Sequence, residues 1–346
     1  MKRLAIAAVS LAAGAALAAG TPTPGMKAVL DKLASMHPKP LPKLTAEEAR
    51  KQPTPADAVK AVLEGEGRSS KPEEVAKVQE IQLAGADGQI PARVYTPAGT
   101  GPMPVVVYYH GGGWVIANLD VYDSSPRALA NLTRAILVSV EYRQGPEHKF
   151  PAAHEDAFAA YKWVVENAAS LGGDPKRVAV AGESAGGGLA AAVSMMARDR
   201  KAPMPVAELL VYPIAGYDFT TPSYRENASA KPLDKAGMQW FFKQYLKSPK
   251  DGQDPRINLV KADLKGMPPT TIITAQIDPL RSEGQALAKK LEAAGVQVEA
   301  KNYEGVTHEF FGMGAAIPEA REAEKFGAEG LAKSLGAGKT SGGGVK

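Results

Sequence analysis

The 346 residues contain no cysteine. This excludes disulfide frameworks, thiolate zinc sites, iron–sulfur clusters and a cysteine nucleophile, and with them a lipid attached to a processed amino-terminal cysteine. Aromatic residues make up only 6%, and no basic stripe with interleaved aromatics runs through the chain, which sets nucleic acid aside as a partner. Histidine is scarce, with five copies, and no HExxH or similar ligand cluster appears, so neither a metal nor an organic cofactor is expected. Two nucleotide signatures fail as well. Gly338, Lys339 and Thr340 spell the end of a phosphate loop, but Lys333 stands where its first glycine belongs; after Gly111 and Gly113, Ile116 takes the place of the last glycine of a dinucleotide fingerprint. What remains is an ordinary soluble composition, 45% apolar and 23% charged, which argues against wholesale disorder and a polytopic membrane protein. The 35 Gly and 27 Pro show no three-residue period, so they mark short turns, not collagen.

The first residues place Lys2 and Arg3 before an uncharged apolar stretch from Leu4 and a small-residue site at Ala16, Leu17 and Ala18. This is the layout of a secretory signal peptide over residues 1–19, and it falls short of the ~20 strongly apolar residues of a stable span. Cleavage after Ala18 or Ala19 is expected, giving a periplasmic or secreted product with no stable membrane anchor. It removes two of the 41 basic residues and none of the 37 acids, so the formal charge falls from +4 to +2. Residues 336–346 are Gly-rich and polar and read as a flexible tail.

Residues 20–55 are Pro-rich and carry one helical pattern, with Met26, Val29, Leu30 and Leu33 at helical spacing; the segment 20–77 reads as an arm or lid and not as core. A catalytic domain follows over 78–335. VQEIQLAG and ARVYTPAG read as an antiparallel pair, and then the apolar runs become continuous: 104–110, 135–142, 177–182, 207–213 and 270–276. Short Val- and Ile-rich runs without polar alternation are strands buried on both faces. Helical patterns at 151–172, after Ser184, at 283–295 and at 318–336 alternate with them, which implies an α/β fold with a mostly parallel sheet covered on both faces. The aromatic-rich stretch at about 217–250 breaks the rhythm and reads as an insertion that forms a helical cap with the arm.

Residues 182–186 read GESAG, a G-x-S-x-G placed between an apolar run and a helical pattern. Only that strand, turn and helix context makes a nucleophile elbow, with glycines flanking a strained serine in a tight turn. Serine is a weak nucleophile at neutral pH and needs a base, normally histidine. Of the five histidines, His37 lies in the arm, His148 and His154 flank a helix start, and His110 precedes a glycine run, where it reads as a structural residue fixing the loop. His308 follows the last strand-like segment, where chain order puts the base. The orienting acid belongs between them, past a strand end: Asp278 directly follows TTIITAQI, whereas Asp254 and Asp263 lie in turn-rich sequence and Glu304 is a weaker substitute. The third element is HGGGW at 110–114, whose glycines let backbone N–H groups reach an oxygen on which negative charge develops.

These motifs together resemble the hormone-sensitive lipase family of α/β-hydrolase esterases, bacterial family IV. HGGGW, GESAGGG, EYRQGPEHKFPAAHED, IDPLRSEG and THEFF stand in that family's order over roughly residues 78–335. The resemblance implies a triad of Ser184, Asp278 and His308, oxyanion donors on the backbone of Gly112, Gly113 and Ala185, and a cap built from the arm and a later insertion. The chain departs from the family's usual Leu-Ala at Gln144 and Gly145, and from its usual acid at Ser282. Both departures bear on substrate preference. The expected activity is that of a serine carboxylesterase on short- to medium-chain esters, with a small-molecule ester as its partner. A non-catalytic binding protein on the same fold, an amide or peptide hydrolase with the same triad, and assembly as a homodimer stay open at this point.

Overall fold

A computed structural model describes residues 20–336; the signal-peptide reading and all of the tail beyond Gly336 lie outside them. Among the described residues one sheet has eight strands: β1 (Lys77–Ala84), β2 (Gln89–Thr96), β3 (Met103–Tyr109), β4 (Ile136–Val140), β5 (Gly173–Glu183), β6 (Glu208–Val211), β7 (Thr270–Ile277) and β8 (Val298–Thr307). Their spatial order is β1-β2-β4-β3-β5-β6-β7-β8. β1 and β2 pair antiparallel, β2 joins β4 antiparallel, and every later pairing is parallel. The mostly parallel sheet and its early hairpin are therefore as the patterning implies.

The helices are α1 (Pro24–Ser35), α2 (Ala46–Ala49), α3 (Pro55–Gly65), α4 (Ser124–Thr133), α5 (Ala152–Asn167), α6 (Ala185–Asp199), α7 (Pro222–Glu226), α8 (Lys235–Tyr245), α9 (Arg281–Ala293) and α10 (Pro318–Leu335). Successive side chains of a strand point to opposite faces, and β3 shows it: Val105, Val107 and Tyr109 join one apolar cluster with residues of α5, α6 and α9, while Val106 and Tyr108 join a second with α4 and α10. Every residue of β3, β4 and β6 is buried, which explains why these strands lack polar alternation.

Two features depart from the sequence reading. The patterning did not mark α4, because its Ser, Arg, Asn and Thr dilute the apolar periodicity; Pro126 fits in its first turn, where an N–H has no helical partner, and Arg134 in the left-handed region closes it. The amino-terminal segment is more than an arm over the surface. Met26, Val29 and Leu33 of α1 are buried in the same cluster as α4 and α10, and the Thr307 hydroxyl donates to the Met26 sulfur at 3.4 Å. A helix with an apolar stripe must cover it, and the stripe of α1 is covered by the body. Thr45 and Thr54 each close a reciprocal capping box, with Glu48 and Asp57. Between them Arg50 donates to the carbonyls of Val115 and Gly145 and to Glu147, and the Trp240 indole N–H of α8 donates to the Leu44 carbonyl at 3.1 Å. Residues 44–50 are thus fixed both to the loop after β3 and to the 217–250 stretch.

Candidate active site

The candidate residues all lie just past the carboxyl ends of parallel strands, where open α/β sheets hold their ligands. Ser184 follows β5, Asp278 follows β7, His308 follows β8, and the 110–113 loop follows β3. Ser184 sits at φ 56° and ψ −117°, a strained conformation for a residue with a side chain. The turn needs its glycines for lack of room: a Cβ on Gly186 would lie 1.9 Å from the Tyr109 carbonyl oxygen, and one on Gly182 would lie 2.2 Å from that of Gly186. Beyond the turn α6 begins at Ala185, whose N–H, in a helix's first turn, has no intrahelical acceptor.

The His308 ring stands between the other two side chains. Its Nε2 is 2.9 Å from Ser184 Oγ and its Nδ1 is 2.7 Å from Asp278 Oδ2. Asp278 is fully buried, and its other oxygen accepts from the Leu280 N–H at 2.8 Å. The Asn227 amide donates to the Asp278 carbonyl at 3.2 Å, so a residue of the 217–250 stretch braces the loop. Burial works against charge on His308, but Asp278, with help from Glu309 and Glu183, outweighs it and holds the imidazole above its ordinary pKa of 6.5.

Gly112 and Gly113 adopt φ 92° and 60°, a region that glycine enters without penalty. A Cβ on Gly113 would lie 2.2 Å from the Phe241 ring. Both glycines, Ser184 and His308 line one cavity of about 1200 Å³, walled by the amino-terminal segment, the 116–122 loop and α8. That is ample for a drug-sized molecule, since typical pockets run roughly 300–1,000 Å³.

The other candidates fall elsewhere. His154 is buried in α5 with Nδ1 2.8 Å from the Tyr245 hydroxyl, and burial first, then Arg256, pulls its pKa down to about 3. His110 is buried and stacked on Tyr142, its Nδ1 2.8 Å from the Gly111 carbonyl, which suits the loop-fixing role. His37 and His148 are exposed on the cavity rim. Asp254 holds Arg256, Asp263 accepts from the Lys265 N–H, and exposed Glu304 accepts from Asn302; none approaches His308. Of the adjacent aromatics Trp240, Phe241 and Phe242 of α8, only Phe241 lines the cavity. Trp240 is turned to Leu44, and Phe242 packs against Trp114, Tyr217 and Phe219.

Sequence reasoning missed two acids beside the triad, Glu183 and Glu309. Glu183, the variable position of the elbow motif, is buried and accepts from the Tyr108 and Tyr212 hydroxyls. Burial lifts its pKa to about 7 against the hydrogen bonds of Tyr108 and Tyr212. Glu309 follows His308 directly and accepts from the Tyr122 hydroxyl.

Residues 106–312 match the family described by the α/β-hydrolase fold. The chain belongs to the α/β hydrolases. Among curated proteins it is similar to the carboxylesterase NlhH of Mycobacterium tuberculosis, 43% identical over 263 residues that cover 74% of this chain and 82% of that one. It is likewise similar to the ethyl acetate hydrolase of Pseudomonas putida, 35% identical over 82% of this chain and 88% of the relative. Among solved structures, the hyperthermophilic esterase from the archaeon Pyrobaculum calidifontis superposes with a TM-score of 0.82 at 38% identity, covering 90% of this chain and 98% of that one. These relatives place the hydrolase in the hormone-sensitive lipase group to which its motifs pointed.

The two departures from that group's motifs acquire structural meaning within the hydrolase. Gln144 Nε2 donates to the Ile116 and Ala117 carbonyls and so braces the loop beyond Gly113; the Gly145 carbonyl accepts from Arg50. A Cβ at Gly145 would press on α8 at 3.1 Å. Ser282 and Ser223 exchange hydrogen bonds, each hydroxyl accepting from the other's N–H at 3.0 Å. An uncharged side chain at 282 thereby clamps α7 against the start of α9, and the Ser223 hydroxyl in turn donates to the Pro279 carbonyl.

Proposed function

We propose that this α/β hydrolase is a serine carboxylesterase acting on short- to medium-chain esters. The observation that carries the proposal is the continuous chain from Ser184 Oγ through His308 to Asp278 at 2.9 and 2.7 Å, opening on the cavity. Ser184 attacks the ester carbonyl while neutral His308 takes its proton at Nε2, and Asp278 holds the ring and stabilises its charged form. The oxyanion is met by the N–H groups of Gly112, Gly113 and Ala185, each such donor typically worth about 3 kcal/mol of barrier. His308 returns the proton to the leaving alcohol; a water, deprotonated by the same nitrogen, then attacks the acyl-enzyme, and that proton passes to Ser184 Oγ as the acid leaves. The names of the relatives support the substrate class. The test is turnover of a short-chain p-nitrophenyl ester by wild type and by Ser184→Ala; an inert wild type, or an equally active variant, refutes it.

The pH dependence follows from His308. The base must be neutral, so kcat/KM falls as pH falls through the imidazole pKa, which stands above 6.5. Glu183, at about 7, titrates in the same window and shares the limb. A pH–rate profile should place the acid midpoint above 6.5; activity that stays flat from neutral to strongly acidic pH contradicts His308 as the base.

Export belongs to the same proposal. Lys2 and Arg3, the apolar stretch and the small-residue site support cleavage near Ala18 or Ala19, and no helix among the described residues is long and apolar enough to cross a membrane. Sequencing the amino terminus of the full-length chain expressed in a Gram-negative host should return Ala19 or Gly20 in the periplasmic or medium fraction. Recovery with Met1 from the cytosol would contradict it.

A further inference from the structure

The loop after β8 carries a carboxylate that the reaction as described does not use. Glu309 lies at φ 72°, where glycine is at ease and a side chain is not. Its Oε1 is 3.6 Å from His308 Nε2, the nitrogen that faces Ser184. Both its oxygens are within 2.7 Å of the Tyr122 hydroxyl, and the residue lines the cavity.

A departing alcohol takes its proton from Nε2, so its oxygen comes within about 3 Å of that nitrogen. The alcohol part of the ester, more than its acyl part, therefore passes alongside Glu309. Among the described residues that line the cavity, no lysine or arginine pairs with Glu309. Arg50 is engaged by Glu147 and Lys231 by Asp234, and Lys39 is exposed on the rim. The charges that face His308 from the neighbouring elements, Asp278 after β7 and Glu183 at the end of β5, are also acids, and the Tyr212 and Tyr122 phenols beside them are neutral.

We propose that Glu309 sets the charge preference of the leaving group: the site takes esters whose alcohol part is neutral or cationic and rejects those whose alcohol part carries a carboxylate. This rests on the esterase reading above and names the substrate class within it.

Three acetate esters of similar length test it: acetylcholine, its uncharged isostere 3,3-dimethylbutyl acetate, and 4-acetoxybutyrate. Wild type should favour the first two, and Glu309→Gln should lower the cation-to-anion ratio of kcat/KM by ~10-fold, as expected for one charge acting over several ångströms in a partly wet site. Should that variant fold poorly, Glu309→Gly, which suits the backbone, carries the same expectation. A second readout is independent of turnover: the NMR titration midpoint of His308 should drop in Glu309→Gln. An active wild type whose ester ratio changes less than about twofold in the variant, or an unmoved His308 midpoint, overturns the proposal and leaves the esterase reading intact. A wild type inert on all three esters overturns the esterase reading and the leaving-group preference with it, while the His308 midpoint still reports whether Glu309 acts on the base.

Discussion

Replacing Ser184 by Ala is expected to lower kcat on a short-chain ester by ~10⁵-fold or more, equivalent to about 7 kcal/mol of barrier. The size follows from what the hydroxyl does. Without it no acyl-enzyme forms, and His308 has no serine proton to take. What survives is the rate the glycine loop and the cavity give an attacking water, typically ~10³–10⁴ over the uncatalysed reaction. The fold should not notice. The Ser184 hydroxyl's hydrogen bond is to His308, and alanine meets the same backbone strain at φ 56° as serine does. Thermal unfolding should therefore be unchanged while turnover disappears. A variant that unfolds early would mean that the hydroxyl is structural; one that keeps the wild-type rate would mean that the nucleophile lies elsewhere.

How much of this was legible beforehand depends on whether a feature is local. GESAG between a buried strand and a helix states its own geometry, because strand, turn and helix are adjacent in sequence and Gly182 and Gly186 answer clashes within a few residues and with the neighbouring β3. Asp278 and His308 were legible through chain order and strand ends, since a parallel sheet brings its carboxyl ends to one edge. Glu309 and Tyr122 lie 187 positions apart, and nothing in either neighbourhood signals the other; only the φ of Glu309, invisible in the letters, marks it out. The same holds for α1. Its apolar stripe showed that it must be covered, but that the cover is the cluster holding α4 and α10 is a long-range fact. Trp240, Phe241 and Phe242 are the clearest case: three adjacent aromatics with one signal, of which a 100° rotation per residue sends only the middle one to the cavity.

Asp278→Asn should lower kcat by ~10⁴-fold with the protein still folded, and the Leu280 N–H says why the amide cannot mimic the acid. Asp278 Oδ1 accepts from that N–H at 2.8 Å, and Oδ2 faces His308 Nδ1 at 2.7 Å. An amide has one acceptor and one donor end. The Leu280 N–H claims the oxygen, so the NH₂ group turns toward His308. Nδ1 must then accept, which puts the ring proton on Nε2, 2.9 Å from Ser184 Oγ. A protonated Nε2 cannot take the serine proton, and the nucleophile loses its base although all three side chains keep their places. The mutation should act on kcat far more than on KM, because the cavity walls that hold the ester are untouched. Nitrogen chemical shifts of the His308 ring decide the matter: the proton should move from Nδ1 in the wild type to Nε2 in the variant. If it stays on Nδ1, or if activity survives with the proton on Nε2, then Asp278 does not work by fixing the tautomer, and its contribution is the charge it offers the imidazolium.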